Sequence, residues 1–378
     1  MGNLGLIETP CLLLDADILV RNIARMAQRI GGLGCVLRPH VKTHKSISVA
    51  QTVADAGHTR GITVSTLHEA EYFFRNGHDD ILYAVGITPN KLDHAADLRA
   101  RGCDLKIILD HPDMARAVVE HGVCKRRAHR VLIEVDTDGH RSGVDPRGEV
   151  LIETGRIITA SGGAELVGVM AHAGGSYGCA TPDCLLDAAR RERDLTVLAA
   201  RRLRVDGARC PIVSIGSTPT ALAVDHLEGV TEVRAGVYTF FDLVMAGIGV
   251  CGVEDIAISV LASVIGHQRD KNWVVTDAGW MALSRDRGTA TQTVDQGYGL
   301  VAESQGSVLG DLVMTGANQE HGIISRRGGG PVDFDRFPLG GPLRILPNHA
   351  CATAAQFDRY HLVRDGTVID TWSRSGGW

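Results

Sequence analysis

The segment Arg38-Pro39-His40-Val41-Lys42-Thr43-His44-Lys45 sets one lysine, Lys42, among four other basic residues. Such neighbours add positive potential that disfavours a protonated amine, and a neutral lysine amine attacks carbonyls, which is what Schiff-base chemistry requires. A lysine in a basic run is also an ordinary solvated surface group, so its position in the fold has to decide. Two small turns, Gly216-Ser217-Thr218-Pro219-Thr220 and Arg234-Ala235-Gly236-Val237-Tyr238, are of the kind that lets backbone N–H groups approach a phosphate. Either glycine alone would equally serve a tight turn. A phosphate cradle and a nucleophilic lysine together point to pyridoxal 5'-phosphate (PLP). Near the end comes Pro347-Asn348-His349-Ala350-Cys351. On a strand, residues two apart share a face, so His349 and Cys351 could hold one metal, and imidazole with thiolate favours Zn²⁺. One ordinary histidine and one buried cysteine would look the same. Gln319-Glu320-His321-Gly322 is a further polar cluster, either orienting a ligand or water or forming a plain polar turn.

The elements that must position these residues follow from the pattern of apolar runs. Eight short β-branched runs, at 35–40, 61–64, 81–85, 105–109, 131–135, 166–171, 212–215 and 230–235, alternate with stretches of helical periodicity such as 67–76, 89–101 and 182–204. Strand alternating with helix predicts a parallel sheet, and eight such units fit a closed (β/α)8 barrel; an open doubly wound sheet is the alternative. Barrel active sites lie where strands end, and there stand Lys42, the segment 134–143 with Arg141, His172 and Tyr177, and both glycine turns. After residue 242 the texture changes to strands at 256–265, 273–277, 311–315, 343–346 and 360–363, with an Asp365-Gly366 hairpin turn and an exposed glycine-rich loop at 326–331. The expected organisation is a barrel over residues 16–248 and a mainly β domain made of 249–378 with 1–15, whose lone strand at 10–15 can pair with it.

Composition bounds the function. With 378 residues, 44% hydrophobic and 22% charged, the chain reads as an ordinary globular protein of two domains. Its formal charge of −5 argues against nucleic acid as a partner, and basic runs such as 125–127 are short and isolated. No apolar stretch is long enough for a membrane span, and residues 1–10 lack a signal-peptide layout. The nine cysteines are odd in number and form no CxxC pair, so no disulfide framework is expected and a reducing cytoplasm is.

Taken in order, several motifs resemble the fold-type III PLP enzymes, in the branch of D-serine dehydratase, D-threo-3-hydroxyaspartate dehydratase and D-threonine aldolase. The resemblance spans the chain and rests on Glu8-Thr9-Pro10, Arg38-Pro39-His40-Val41-Lys42-Thr43, Asp138-Gly139-His140-Arg141-Ser142-Gly143, Gly216-Ser217-Thr218-Pro219-Thr220, Asp277-Ala278-Gly279, Glu320-His321-Gly322 and Pro347-Asn348-His349-Ala350-Cys351. It implies an alanine-racemase-like barrel with Lys42 as the Schiff-base lysine and Arg141 beside the cofactor's phenolic oxygen. His172 and Tyr177 would line the pyridine ring, and Ser217, Thr218, Gly236 and Val237 would bind phosphate, Val237 standing where relatives often have serine. His349 and Cys351 would bind the metal. The aldolases of this branch carry aspartate at the position of Cys351 and the dehydratases cysteine, so the resemblance implies a dehydratase acting on a D-3-hydroxy amino acid, as a homodimer. A retro-aldol aldolase, a racemase and a non-catalytic PLP carrier are the alternatives.

Overall fold

The computed structural model describes residues 2–378. The chain folds into two compact units, one of residues 25–42, 50–236 and 377–378, the other of residues up to 24 with 43–49 and 237–376. In chain order the first strands are β1 (Gly2–Asn3), β2 (Cys11–Asp15), β3 (Val36–Pro39), β4 (Ile62–Val64), β5 (Asp80–Gly86), β6 (Asp104–Leu109), β7 (His129–Val135), β8 (Ala164–Ala171), β9 (Ile212–Ile215) and β10 (Glu232–Ala235). The remaining ones are β11 (Ile258–Gln268), β12 (Trp273–Thr276), β13 (Gly299–Glu303), β14 (Val308–Ala317), β15 (Gly322–Arg326), β16 (Pro342–Pro347), β17 (Arg359–Arg364) and β18 (Thr367–Ser373).

In the first unit β3 to β10 run parallel, in the order β3-β10-β9-β8-β7-β6-β5-β4. Single parallel bridges, Leu37 to Thr59 and His40 to Thr63, span the seam between β3 and β4, so the ring is nearly closed and the open-sheet alternative falls. Strands buried on both faces carry mostly apolar runs, as Ile107-Ile108-Leu109 and Val131-Leu132-Ile133 show, which is why the sequence marked all eight. The helices between them start on ordinary signals. Thr66 accepts from the Glu69 N–H, and Thr181 accepts from the Cys184 N–H ahead of Pro182 in the first turn.

The barrel interior also holds charge. Arg38, 1% exposed, donates from Nε to Glu232 Oε2 at 2.9 Å and from Nη1 to Asp80 Oδ1 at 2.8 Å. Lys106 Nζ donates to the same Asp80 oxygen at 2.7 Å. Burial pushes the Asp80 carboxyl up, but Arg38 and Lys106 more than reverse this and hold it at about 2. Glu232 and Asp80 are the first residues of β10 and β5, so Arg38 reaches toward the strand starts, away from the face that Lys42 follows. The expectation that Arg38 adds free positive potential at Lys42 is therefore corrected: two carboxylates neutralise it.

The second unit is built on antiparallel pairing. β11-β12-β15-β14-β13-β16 forms a ring that closes when β16 pairs back onto β11. β2 pairs with β11 antiparallel and with β17 in parallel, as foreseen for a lone early strand. The β17–β18 hairpin turns through Asp365 and Gly366, both at positive φ. The motifs Glu8-Thr9-Pro10 and Asp277-Ala278-Gly279 meet here: Thr9 Oγ1 donates to Asp277 Oδ2 at 2.6 Å, and the Ser263 N–H donates to Asp277 Oδ1 at 2.8 Å. Gln319, Glu320 and His321 form the exposed turn between β14 and β15, closed by the Asn318 N–H on the His321 carbonyl at 2.8 Å.

Cys179 and Cys184 form one disulfide between the loop after β8 and the helix Pro182–Val205, a local bridge that the sequence did not mark and not a framework; the other seven cysteines form no disulfide. Among the described residues no helix is long and apolar enough to cross a membrane.

Removing one partner from a buried charge network leaves the others unpaired. Arg38→Leu should cost about 3–5 kcal/mol of stability, read from the urea midpoint; a midpoint equal to that of the unaltered chain would show that the network contributes nothing.

Candidate active site

Lys42 follows β3 by three residues, at the C-terminal face of the barrel, with an exposed side chain. Its backbone N–H donates to His40 Nδ1 at 3.4 Å. The neighbouring groups come from other strand ends. His40 is held well below the usual histidine range, first by burial and then by Lys42, Arg234 and His172. His172, just after β8, donates from Nδ1 to the Gly216 carbonyl at 3.0 Å. Burial, followed by the nearby Lys42, Arg141 and Arg234, pushes it down to about 3 against that hydrogen bond. Two imidazoles are therefore neutral beside Lys42 at ordinary pH. Tyr177 lies in the short 3-10 turn Gly174–Gly178, its ring centroid 6.3 Å from that of His172.

Arg141 is placed by its loop rather than by its own bonds. Asp136 Oδ1 accepts from the N–H groups of Asp138 and Gly139, and Asp110 Oδ2 accepts from the Gly143 N–H. Gly143 sits at φ 113°, where a Cβ would come within 2.4 Å of the Asp136 nitrogen, so no other residue fits there. Arg141 leans on buried Glu134 at 3.5 Å and keeps over half of its side chain in solvent.

Gly216, at φ 134°, passes so close to β10 that a Cβ would meet the Arg234 carbonyl at 2.1 Å. Ser217 then caps the helix Thr218–Ala223 through its hydroxyl and the Thr220 N–H, with the Thr220 hydroxyl returning to the Ser217 N–H. Lys42, Arg141, His172, Tyr177, Ser217 and Thr218 thus belong to loops at one rim of one unit. Gly236 ends that unit; Val237 begins the 3-10 turn Val237–Thr239 in the other, with a buried side chain. Arg234 went unassigned in the sequence reading. Its guanidinium is buried and donates to Ser214 Oγ at 2.6 Å and to the Ala171 carbonyl.

In the β-rich unit the structure corrects how His349 and Cys351 are related. β16 stops at Pro347, so the pair does not lie on a strand: His349 caps the short helix Ala350–Ala354 and Cys351 is in its first turn. They still converge, because Cys351 and Asp286 both hydrogen-bond the His349 side chain. Buried Asn348 anchors the turn, accepting from the Thr289 hydroxyl at 2.5 Å and donating to the Gly297 carbonyl at 2.8 Å. Asp242, also buried, accepts from the Ala350 N–H at 2.9 Å. His349 Nδ1 lies 2.6 Å from Asp286 Oδ2, which leaves Nε2 as the nitrogen for a metal. Burial opposes charge on that ring, yet Asp286 and Cys351 raise it to about 11, so a metal would displace a proton there. Thr43, the residue after Lys42, places its hydroxyl 3.2 Å from Cys351 Sγ. Among the described residues no group of three or more His, Cys, Asp or Glu side chains is arranged to hold a metal ion. Asp286 and Asp242 carry no local motif that sequence reasoning could have used.

Two family models match the chain: the alanine racemase N-terminal domain over residues 14–244 and the putative serine dehydratase domain over residues 257–363. D-threo-3-hydroxyaspartate dehydratase from Delftia sp. (strain HT23) is 56% identical over 376 residues, covering 98% of each chain. The chain belongs to this fold-type III family. D-serine dehydratase from Dictyostelium discoideum is 31% identical over 391 residues, again covering 98% of each chain. A solved structure of a D-threo-3-hydroxyaspartate dehydratase with one cysteine changed to alanine, in the metal-free form, superposes with a TM-score of 0.98 at 54% identity, covering 100% of both chains.

The depressed His172 makes a pH prediction. Its ordinary value is 6.5 and its folded value about 3, so within that window the unfolded chain binds the extra proton. The stability from neutral His172 is complete above the upper limit and is lost as pH falls toward the lower one. His172→Asn should flatten the pH dependence of the urea midpoint in that range; a variant curve parallel to the original would rule this out.

Proposed function

We propose that the chain is a PLP- and zinc-dependent dehydratase that eliminates water from a D-3-hydroxy amino acid, with D-threo-3-hydroxyaspartate first and D-serine second, giving a 2-oxo acid and ammonia. The observation that carries this is the identity to D-threo-3-hydroxyaspartate dehydratase along almost the whole chain, joined to the His349–Cys351 turn, where the thiol stands in the position that separates dehydratases from aldolases in the resemblance. The enzyme would act as a homodimer, which rests on the resemblance alone, and in the cytoplasm, which rests on the cysteine usage.

The residues present fit both groups. Around Lys42 the neutral imidazoles of His40 and His172 and the fixed cations Arg141 and Arg234 suit a polyanionic ligand. The Gly216 turn has no room for a side chain and is closed by two hydroxyls. PLP, held through Lys42, Arg141, His172, Tyr177, Ser217, Thr218, Gly236 and Val237, would supply an electron sink at the substrate's Cα. A divalent ion on His349 Nε2 and Cys351 Sγ would supply Lewis acidity for the β-hydroxyl, and thiolate with imidazole selects Zn²⁺ over harder ions.

This chain's own residues then divide the work. Lys42, exposed at the rim, takes the Cα proton on Nζ. Arg141 is free to turn toward an anion because Glu134 holds it only at 3.5 Å. His172 is fixed by the Gly216 carbonyl and stays neutral, so it can pack against a ring without competing for the proton. Asp286 fixes the His349 ring and Asn348 fixes the turn beneath it. Once water has left, the enamine hydrolyses to the 2-oxo acid and ammonia.

Product analysis tests the reading. Protein loaded with PLP and Zn²⁺ and given D-threo-3-hydroxyaspartate should form oxaloacetate and ammonia, whereas glycine and glyoxylate would make it an aldolase. Cys351→Ala should lose at least about a hundredfold in turnover, in line with removal of one transition-state stabiliser, while retaining PLP. Full turnover in that variant would remove the metal from the mechanism.

A further inference from the structure

Glu192 lies on the helix Pro182–Val205 and is wholly buried, its hydrogen bonds made to backbone and hydroxyl donors. Burying a carboxylate is costly unless its lone pairs are taken. Here they are taken by backbone from two different strand-end turns. Glu192 Oε1 accepts from the Ala173 N–H at 2.9 Å and from the Gly216 N–H at 3.0 Å. Its other oxygen, Oε2, accepts from the Thr220 hydroxyl at 2.7 Å. That same Thr220 oxygen accepts from the Ser217 N–H at 3.1 Å, and Ser217 Oγ lies 3.1 Å from Ser176 Oγ. Ser176 in turn donates to the Ala173 carbonyl at 2.7 Å, which closes the circuit.

One carboxylate therefore ties the turn after β8, which carries His172 and Tyr177, to the turn after β9, which carries Ser217 and Thr218. Nothing in the circuit is apolar packing; every link is directional and each has one donor and one acceptor. Leucine or alanine at 192 would leave two buried N–H groups, one in each turn, without partners. Glutamine would keep an oxygen for both N–H groups but turn its NH₂ toward the Thr220 hydroxyl.

We propose that Glu192 is a positioning residue for the cofactor: it holds the Ser217–Thr218 turn in the conformation that grips a phosphate. This rests on the reading of that turn as the phosphate site. It accounts for a feature that the reading leaves unexplained, namely why an acidic residue is buried directly behind a turn that should receive an anion. The carboxylate takes the Gly216 N–H and the Thr220 hydroxyl, so that the turn's shape is fixed before any ligand arrives. That is preorganisation of the kind that strengthens binding by reducing its ordering cost.

A general loss of packing would weaken every ligand of the barrel alike, whereas a brace for the phosphate turn would act on phosphate. The experiment compares PLP with pyridoxal, which lacks the phosphate, by equilibrium dialysis against the full-length apo chain. Glu192→Ala should weaken PLP on the order of tenfold to a hundredfold, the scale for hydrogen bonds to a charged group, and should weaken pyridoxal much less. Thr220→Val, which removes a single link and leaves the carboxylate in place, should shift the PLP-to-pyridoxal ratio in the same direction. Glu192→Gln should recover most of the loss. If Glu192→Ala does not fold, the other two variants decide. An unaltered PLP-to-pyridoxal ratio in both Glu192→Ala and Thr220→Val overturns the brace while leaving the cofactor reading intact. An original chain that holds pyridoxal as tightly as PLP overturns the phosphate reading, and the brace with it.

Discussion

The barrel is joined at its weakest pairing by one side chain. Between β3 and β4 there are single bridges instead of a ladder, and Arg38 reaches across that gap. It leaves β3, bonds Glu232 on β10, touches the Ile62 carbonyl on β4 at 3.4 Å and bonds Asp80 on β5. A fully buried guanidinium is tolerated only when its donors are directed at acceptors, and here they are directed at three other strands. Closing the ring in this way brings every strand end to one rim. Lys42 is four residues further along the same strand and loop as Arg38, so the residue that seals the barrel also sets where the Lys42 side chain emerges.

A second regularity concerns how the rim is shaped. The loops there are held less by apolar contacts than by short polar side chains that accept backbone N–H groups. Asp136 does so for the loop carrying Arg141, and Asp110 closes the same loop through Gly143. In the β-rich unit Asn348 and Asp242 do the same on either side of His349, and Asp277 accepts the Ser263 N–H of β11 while taking the Thr9 hydroxyl. Each gives a backbone donor a partner and so fixes the local direction of the chain. The motifs that give the family its recognisable pattern include several of these acceptors. Part of that pattern is therefore architecture, and the chemistry depends on it at one remove.

The barrel strands could be read from the sequence because burial on both faces favours mostly apolar runs, and such runs are visible in isolation. The β-rich unit gave up fewer of its elements. β13 is a buried run of only Leu300-Val301-Ala302 behind Gly299, β15 starts at Gly322 behind an exposed turn, and β18 is largely exposed with no strict alternation, so each carries a weak strand signal. His349 and Cys351 were visible as a pair, but for the wrong reason: side-chain alternation was assumed, whereas a cap and a first helical turn bring them together. Arg38 was misjudged because the sequence shows its neighbours along the chain and hides Glu232 and Asp80, which meet it only through the barrel. Asp286, Asp242, Arg234 and Glu192 are distant in sequence from the residues they serve, and no spacing rule connects them.

The charges at the rim follow from the same geometry. Buried Arg234 on β10 has three carboxyl groups near it: Glu134 on β7, Glu192 on the helix Pro182–Val205 and Glu232 two residues earlier on its own strand. Burial lowers the proton affinity of Arg234, and three nearby carboxylates oppose that loss, so the cation persists inside the barrel. Above it, burial and those same cations keep His40 and His172 neutral. A ligand entering the rim therefore meets cations whose charge is fixed and imidazoles that add none, over the whole pH range in which a free histidine would switch. That arrangement favours an anion of constant charge and leaves Lys42 no neighbouring imidazole basic enough to compete for a proton. The selectivity is built from burial depth as much as from residue type, which is why it could be seen only once the strands were closed.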